Sequence, residues 1–149
     1  MTTPVRFWVD PICPWCWTTS QWIRRIADEK NLAITWEPIS LLVKNDPAPD
    51  SPFYEPLVWT RGLLRVMESV RAAGHDDRVG DLYTDYGRRI HHEGERLFDP
   101  ALALAAVGLD TAHADGLKLW DAFVTMTELE EFWELKRTRT VRPEFGDAP

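Results

Sequence analysis

Cys13 and Cys16 are the only thiols in the 149-residue chain, and two residues separate them in Asp10-Pro11-Ile12-Cys13-Pro14-Trp15-Cys16-Trp17. The chemistry open to such a pair is substitution at sulfur. One thiolate attacks a disulfide, and a neighbouring thiol resolves the mixed disulfide that results. A C-x-x-C pair where a strand gives way to a helix has the arrangement of a thiol redox centre. With Cys13 at the helix cap and Pro14 at its first position, the positive end of the helix dipole favours an anion at Cys13. Cys16 then begins the row Cys16, Ser20, Ile23, Ala27, one helix face turned to the sheet. Cys13 is expected to be the exposed, low-pKa attacker and Cys16 the shielded resolving thiol. Two other readings stand beside this one. A zinc site needs four ligands, so the pair would have to recruit two of His75, His91, His92 and His113 from a distance. Two structural core cysteines are common, but a pair bracketing Pro-Trp at such a turn is not a typical core placement.

The elements that must position the pair are legible on either side of it. Val5, Phe7 and Val9 alternate with Arg6, Trp8 and Asp10, the period of a short strand. A helix runs from the motif to about Lys30-Asn31, and Leu32 to Glu37 alternates again, with Pro38 confining the strand's end to an edge or bulge. This β-α-β unit predicts two parallel strands with a right-handed crossover. Asn45 to Pro52 reads as a turn-rich connector, and helical stripes follow: Leu63, Met67, Val70, Ala73, closed by Gly74, then Leu82, Tyr86, Ile90. Asp99-Pro100 caps a helix that Gly108 closes, and Asp110 caps another carrying Leu117, Trp120 and Val124. Glu128 to Arg142, acidic first and basic later, suits a terminal helix.

The length fits one domain burying about two-thirds of its unfolded surface, with eight tryptophans as anchors. Seventeen basic and twenty-four acidic residues leave a net charge of −7, which disfavours nucleic acid and anionic membranes as partners. The chain enters its first strand without a basic-then-apolar leader and has no run long enough to span a membrane, so a cytoplasmic location is expected. There a two-cysteine motif reads as catalytic.

At the motif and its flanks the chain resembles the DsbA-like branch of the thioredoxin superfamily, and within it the mycothiol-dependent nitroreductases, also described as mycoredoxin-like. The resemblance is carried by F-W-V-D-P-I-C-P-W-C-W (7 to 17), S-L-L-V-K-N (40 to 45), G-R-R-I-H (87 to 91), K-L-W-D-A-F-V-T (118 to 125) and F-W-E-L-K-R-T-R-T (132 to 140). It implies a thioredoxin-like α/β fold with a large helical insertion: one domain over 1–149, with the redox β-α-β unit in 1–43, the insertion in 52–110 and C-terminal helices in 111–142. It also implies reduction of disulfides or nitroaromatics with electrons from mycothiol, a low-molecular-weight thiol co-substrate, with no metal and no tightly bound cofactor. Residue by residue, it makes Cys13 and Cys16 the redox pair and Pro14 and Trp15 the intervening dipeptide. Asn45, Tyr54 and His91 fall on positions that line the family's substrate cleft. By themselves Asn45 reads as a turn residue, Tyr54 as a packing aromatic and His91 as a partly exposed surface histidine. Trp15, on the exposed turn, is placed to stack on an aromatic substrate.

The sequence departs from the family where a later β-hairpin and its cis-proline should stand. The resemblance passes from about Ala112 directly to Gly116-Leu117-Lys118, and nothing between Val43 and Arg137 alternates like a strand. The expected sheet is therefore incomplete, with strand edges open to pairing in a homodimer. Three functions remain open: a thiol-disulfide oxidoreductase acting on small-molecule or protein disulfides, a non-catalytic helical remnant or binding protein, and a polyketide-pathway-type disulfide isomerase.

Overall fold

The computed structural model describes residues 1–118. Strand β1 (Thr3–Val9), helix α1 (Pro14–Ala27) and strand β2 (Leu32–Pro38) form the β-α-β unit, and the strands pair in parallel from Thr3 beside Leu32 to Val9 beside Pro38. Period-two alternation sorts their side chains. Val5, Phe7, Ile34 and Trp36 join fully buried Val9 against the core, where the Phe7 and Trp36 rings meet edge-on at 5.2 Å. On the opposite face Arg6, Trp8, Ala33 and Thr35 are exposed. There Arg6 lies 4.8 Å over the Trp8 ring and donates to Glu37 at 3.0 Å. Glu37 is buried and also paired with Arg71 at 3.0 Å, so its charge is taken out of water between two guanidinium groups.

The expectation for α1 overshoots by about a turn. The helix ends at Ala27, and Asn31, at φ 50°, supplies the left-handed residue that leads into β2. The turn-rich connector stands where expected, over 46–53, but a short helix that the sequence did not announce precedes it. Ser40 accepts from the Val43 amide at 3.4 Å and starts a five-residue helix, α2 (Leu41–Asn45), which Asp46 closes at φ 44°.

Helices α3 (Tyr54–Ala72) and α4 (Val79–His91) supply most of the remaining core. Leu63, Met67, Val70, Leu82 and Tyr86 are buried as their stripes predict, each contributing about 1.5–3 kcal/mol if fully transferred from water. Ala73 is exposed because α3 has ended, and Gly74 closes the turn at φ 84°. Helix α4 lies against two tryptophans through two glycines. A Cβ at Gly87 would stand 2.1 Å from the Trp17 ring, and one at Gly80 would stand 2.5 Å from Trp36 Nε1. Neither position has room for a side chain.

Asp99 caps α5 (Pro100–Ala106) through Ala101 N at 2.9 Å, as Asp-Pro predicts. Thr111–Lys118 winds as 3-10 rather than α-helix, held to α3 by a 2.9 Å hydrogen bond between His113 Nδ1 and Ser69 Oγ. Trp120, Val124, the terminal helix and the resemblance beyond residue 118 lie outside the described residues.

The molecule is thus mixed α/β, with a small two-stranded parallel sheet and helices compatible with an incomplete thioredoxin-like unit. Among the described residues no third strand joins the sheet, no peptide bond is cis, and no helix is long and apolar enough to cross a membrane.

Candidate active site: a dithiol at the mouth of an apolar groove

Cys13 is the N-cap residue of α1, at the positive end of the helix, and its Sγ accepts the Cys16 amide at 3.3 Å. The cap forms because the turn before it closes on itself, Cys13 N donating to the Asp10 carbonyl at 3.0 Å, while Pro14 starts the helix without an amide to satisfy. Both thiols are free and half-buried. Burial pushes the Cys16 thiol up to about 11 from 9.0. A hydrogen bond to Cys13 and the negative charges of Cys13 and Asp10 push the same way, against the Asp10 backbone amide. Burial, and next the Cys16 sulfur, also hold the Tyr83 phenol above its usual range.

Two groups distant in sequence clip the motif loop in place. Fully buried Asp10 accepts Ile12 N at 3.2 Å and Leu41 N at 2.9 Å, joining the loop to the start of α2. Burial raises its pKa, and the two amides and Thr60 offset this only in part. His91, at the end of α4, hydrogen-bonds the Pro11 carbonyl at 2.8 Å through Nε2, which must therefore carry the proton. Its ring stacks on Trp17 at 5.8 Å, while Trp17 Nε1 donates to His92 Nε2 at 3.2 Å. Trp17 is the post on which both histidines rest.

Cys13, Pro14 and Trp15 open onto a groove of about 970 Å³. Its walls are mostly apolar, from Ile12, Leu41, Pro47, Phe53, Trp59 and Leu97, with Asn45, His91, Glu55 and Arg96 as polar members. The indole of Trp15 is 80% exposed above it. Volume and lining are those of a small-molecule site. A smaller depression of about 460 Å³, bounded by Arg24, Arg78, Asp85 and Arg88, contains no cysteine.

Of the residues singled out from the sequence, Cys13, Pro14, Trp15, Asn45 and His91 line this one groove, while Cys16 sits behind Cys13 in the first turn of α1. Tyr54 is half-buried at the start of α3; its neighbours Phe53 and Glu55 line the groove, and it does not. The four histidines do not build a zinc site with the pair. Among the described residues no three His, Cys, Asp or Glu side chains gather as metal ligands. Sequence reasoning missed Asp10, Trp17 and Arg96. Alternation sorts Asp10 with exposed Arg6 and Trp8, but β1 stops at Val9 and the chain turns inward there.

Strand, capping cysteine, helix and parallel return strand form a small α/β unit compatible with an incomplete thioredoxin-like build. A family model described as Rv2466c-like, mycothiol-dependent nitroreductase Rv2466c, matches residues 12–117, and the chain belongs to that family. The uncharacterized protein Rv2286c of Mycobacterium tuberculosis (strain ATCC 25618 / H37Rv) is 32% identical over 118 residues, covering 76% of this chain and 50% of the relative. The chain therefore spans about half the length of that curated relative.

Proposed function

We propose that the protein is a thiol-disulfide oxidoreductase that draws its electrons from a low-molecular-weight thiol, mycothiol by family membership. Cys13 as thiolate attacks a substrate disulfide, forming a mixed disulfide and expelling one thiolate. Cys16 gives up its proton and attacks the Cys13 sulfur, releasing the second thiolate. Two electrons have then passed to substrate, and the Cys13–Cys16 disulfide is reduced by two equivalents of the small thiol. The observation that carries this reading is the capping Cys13 facing an apolar groove, with Cys16 behind it held as thiol to about pH 11. Trp15 offers the flat surface on which an aromatic substrate stacks, Asn45 and His91 supply polar contacts, and Pro14 shapes the turn. The whole unit, 1–149, acts as one domain in a reducing compartment.

The two-stranded sheet favours a second reading, a binding protein that kept the motif without turnover. Mixing the reduced chain with a small disulfide and excess mycothiol separates the two. Turnover abolished by Cys13→Ser, with a trapped mixed disulfide in Cys16→Ser, supports the enzyme. A folded chain with no turnover supports the binding protein.

A further inference from the structure

The loop after α4 is anchored on both sides of two residues that are themselves unanchored. On one side Glu95 pairs with Arg89 at 3.1 Å and donates its amide to the Arg89 carbonyl at 2.8 Å. On the other, Phe98 meets Trp59 edge-on at 5.3 Å and Tyr86 at 5.8 Å. Between them Leu97 is 76% exposed and held at φ 57°, a left-handed conformation unfavourable for a residue with a branched side chain. Arg96 is exposed beside it and has no carboxylate within ion-pairing distance among the described residues. Both line the groove that holds Cys13 and Trp15. Glu55 lines it too and is not paired with Arg96. A protein of net charge −7 thus offers, inside an apolar groove, a guanidinium that no carboxylate pairs among the described residues, on a loop anchored at both sides. Its planar fork of donors matches the two oxygens of a carboxylate.

We propose that the groove selects aromatic substrates bearing a carboxylate, with Arg96 holding the carboxylate, Leu97 covering the ring's edge and Trp15 lying on its face. This rests on the oxidoreductase reading and names its substrate class. With an aryl disulfide, the Cys13 thiolate displaces one aryl thiolate and Cys16 displaces the second. The dithiol is oxidised to the Cys13–Cys16 disulfide, the disulfide is reduced to two thiolates, and the Cys16 proton passes to solvent.

The test is a single-turnover comparison on the reduced full chain between dithiobis(nitrobenzoate), which carries two carboxylates, and neutral dithiodipyridine. Arg96→Gln should lower the rate with the anionic disulfide about fivefold, as expected for one exposed charge contact, and change the neutral one less than about twofold. Arg96→Lys should fall between. Arg25→Gln, which removes an exposed charge outside the groove, should leave the ratio within about twofold of wild type. Equal losses on both disulfides, or an equal shift from Arg25→Gln, would overturn the assignment of Arg96. Failure of the oxidoreductase reading looks different: neither disulfide is cleaved, or cleavage persists in Cys13→Ser. In that event, binding of nitrobenzoate against nitrobenzamide to the unreactive Cys13→Ser chain still decides the matter. A preference for the acid that Arg96→Gln removes supports the proposal, and no preference overturns it.

Discussion

Replacing Asp10 by asparagine sets two opposed contributions of one side chain against each other. The wild-type carboxyl is fully buried and receives two amides, Ile12 N at 3.2 Å and Leu41 N at 2.9 Å. Asparagine keeps the volume but turns an NH₂ toward one of them, so one hydrogen bond is lost and one buried N–H is left unpaired. In acid, where Asp10 is itself neutral, that loss should cost Asp10→Asn about 1–3 kcal/mol. Raising the pH works against wild type. Burial lifts the folded-state pKa of Asp10 above 3.8, so above that pH the unfolded chain releases its proton while the folded protein retains it. The folded state binds more protons, and stability falls as pH rises from about 3.8 through the raised folded value. The variant has no proton to lose there. Its deficit should therefore shrink by about 1.4 kcal/mol for each unit by which the folded value exceeds 3.8, then stay constant. Urea denaturation of both proteins from about pH 3.5 to 7.5 measures this. A deficit that is flat or widens with pH would show that Asp10 ionises at least as easily folded as unfolded, and would refute the burial argument.

Three shorter predictions follow from the same site. With its thiol at about 11, Cys16 is ionised in only about one molecule in a thousand at pH 8, so pH-dependent alkylation with peptide mapping should label Cys13 first. Preferential labelling of Cys16 near neutral pH would reverse the assigned roles. Trp15→Ala should slow turnover of aromatic disulfides about two- to tenfold more than that of a small aliphatic one, from stacking of about 0.5–1.5 kcal/mol. Equal losses would mean that the indole only shapes the turn. The outer edges of β1 and β2, unpaired among the described residues and with Trp8 45% exposed beside them, should make the chain self-associate or melt low. A monomer at high concentration in sedimentation, melting above about 65 °C, defeats that expectation.

What the sequence makes legible here is local. Alternation places both strands, Pro14 and Asp99-Pro100 mark two helix starts, and the capping geometry of Cys13 follows from its neighbours alone. Features that depend on distant partners are not written locally. Asp10 is buried because the chain turns in after β1, and α2 exists because Ser40 and Asp10 satisfy its first amides. Gly87 looks like any helix glycine until Trp17 is known to lie across it. His91 sits one place off its helix's apolar stripe, so periodicity assigns it to the surface; only its bond to Pro11 shows what it holds. Arg96 and Leu97 belong to a loop with no pattern, and their placement in the groove comes from the anchoring of Glu95 and Phe98.

The two clips on the motif loop also bear on how the protein folds. One joins residues 31 apart in sequence and the other residues 80 apart. Closing loops of that length costs entropy before any contact repays it, so such contacts form after the local helices and hairpin-scale turns are in place. The segment from Cys13 to Cys16 can wind into its helix early, but the amide and carbonyl groups before it are fixed only when α2 and α4 arrive. A chain still folding therefore carries a Cys16 thiol that is not yet buried, and the rise in its pKa is acquired only as the packing around it forms. Thiol reactivity becomes a clock for that packing: in refolding experiments the loss of labelling at Cys16 marks the moment its thiol is buried.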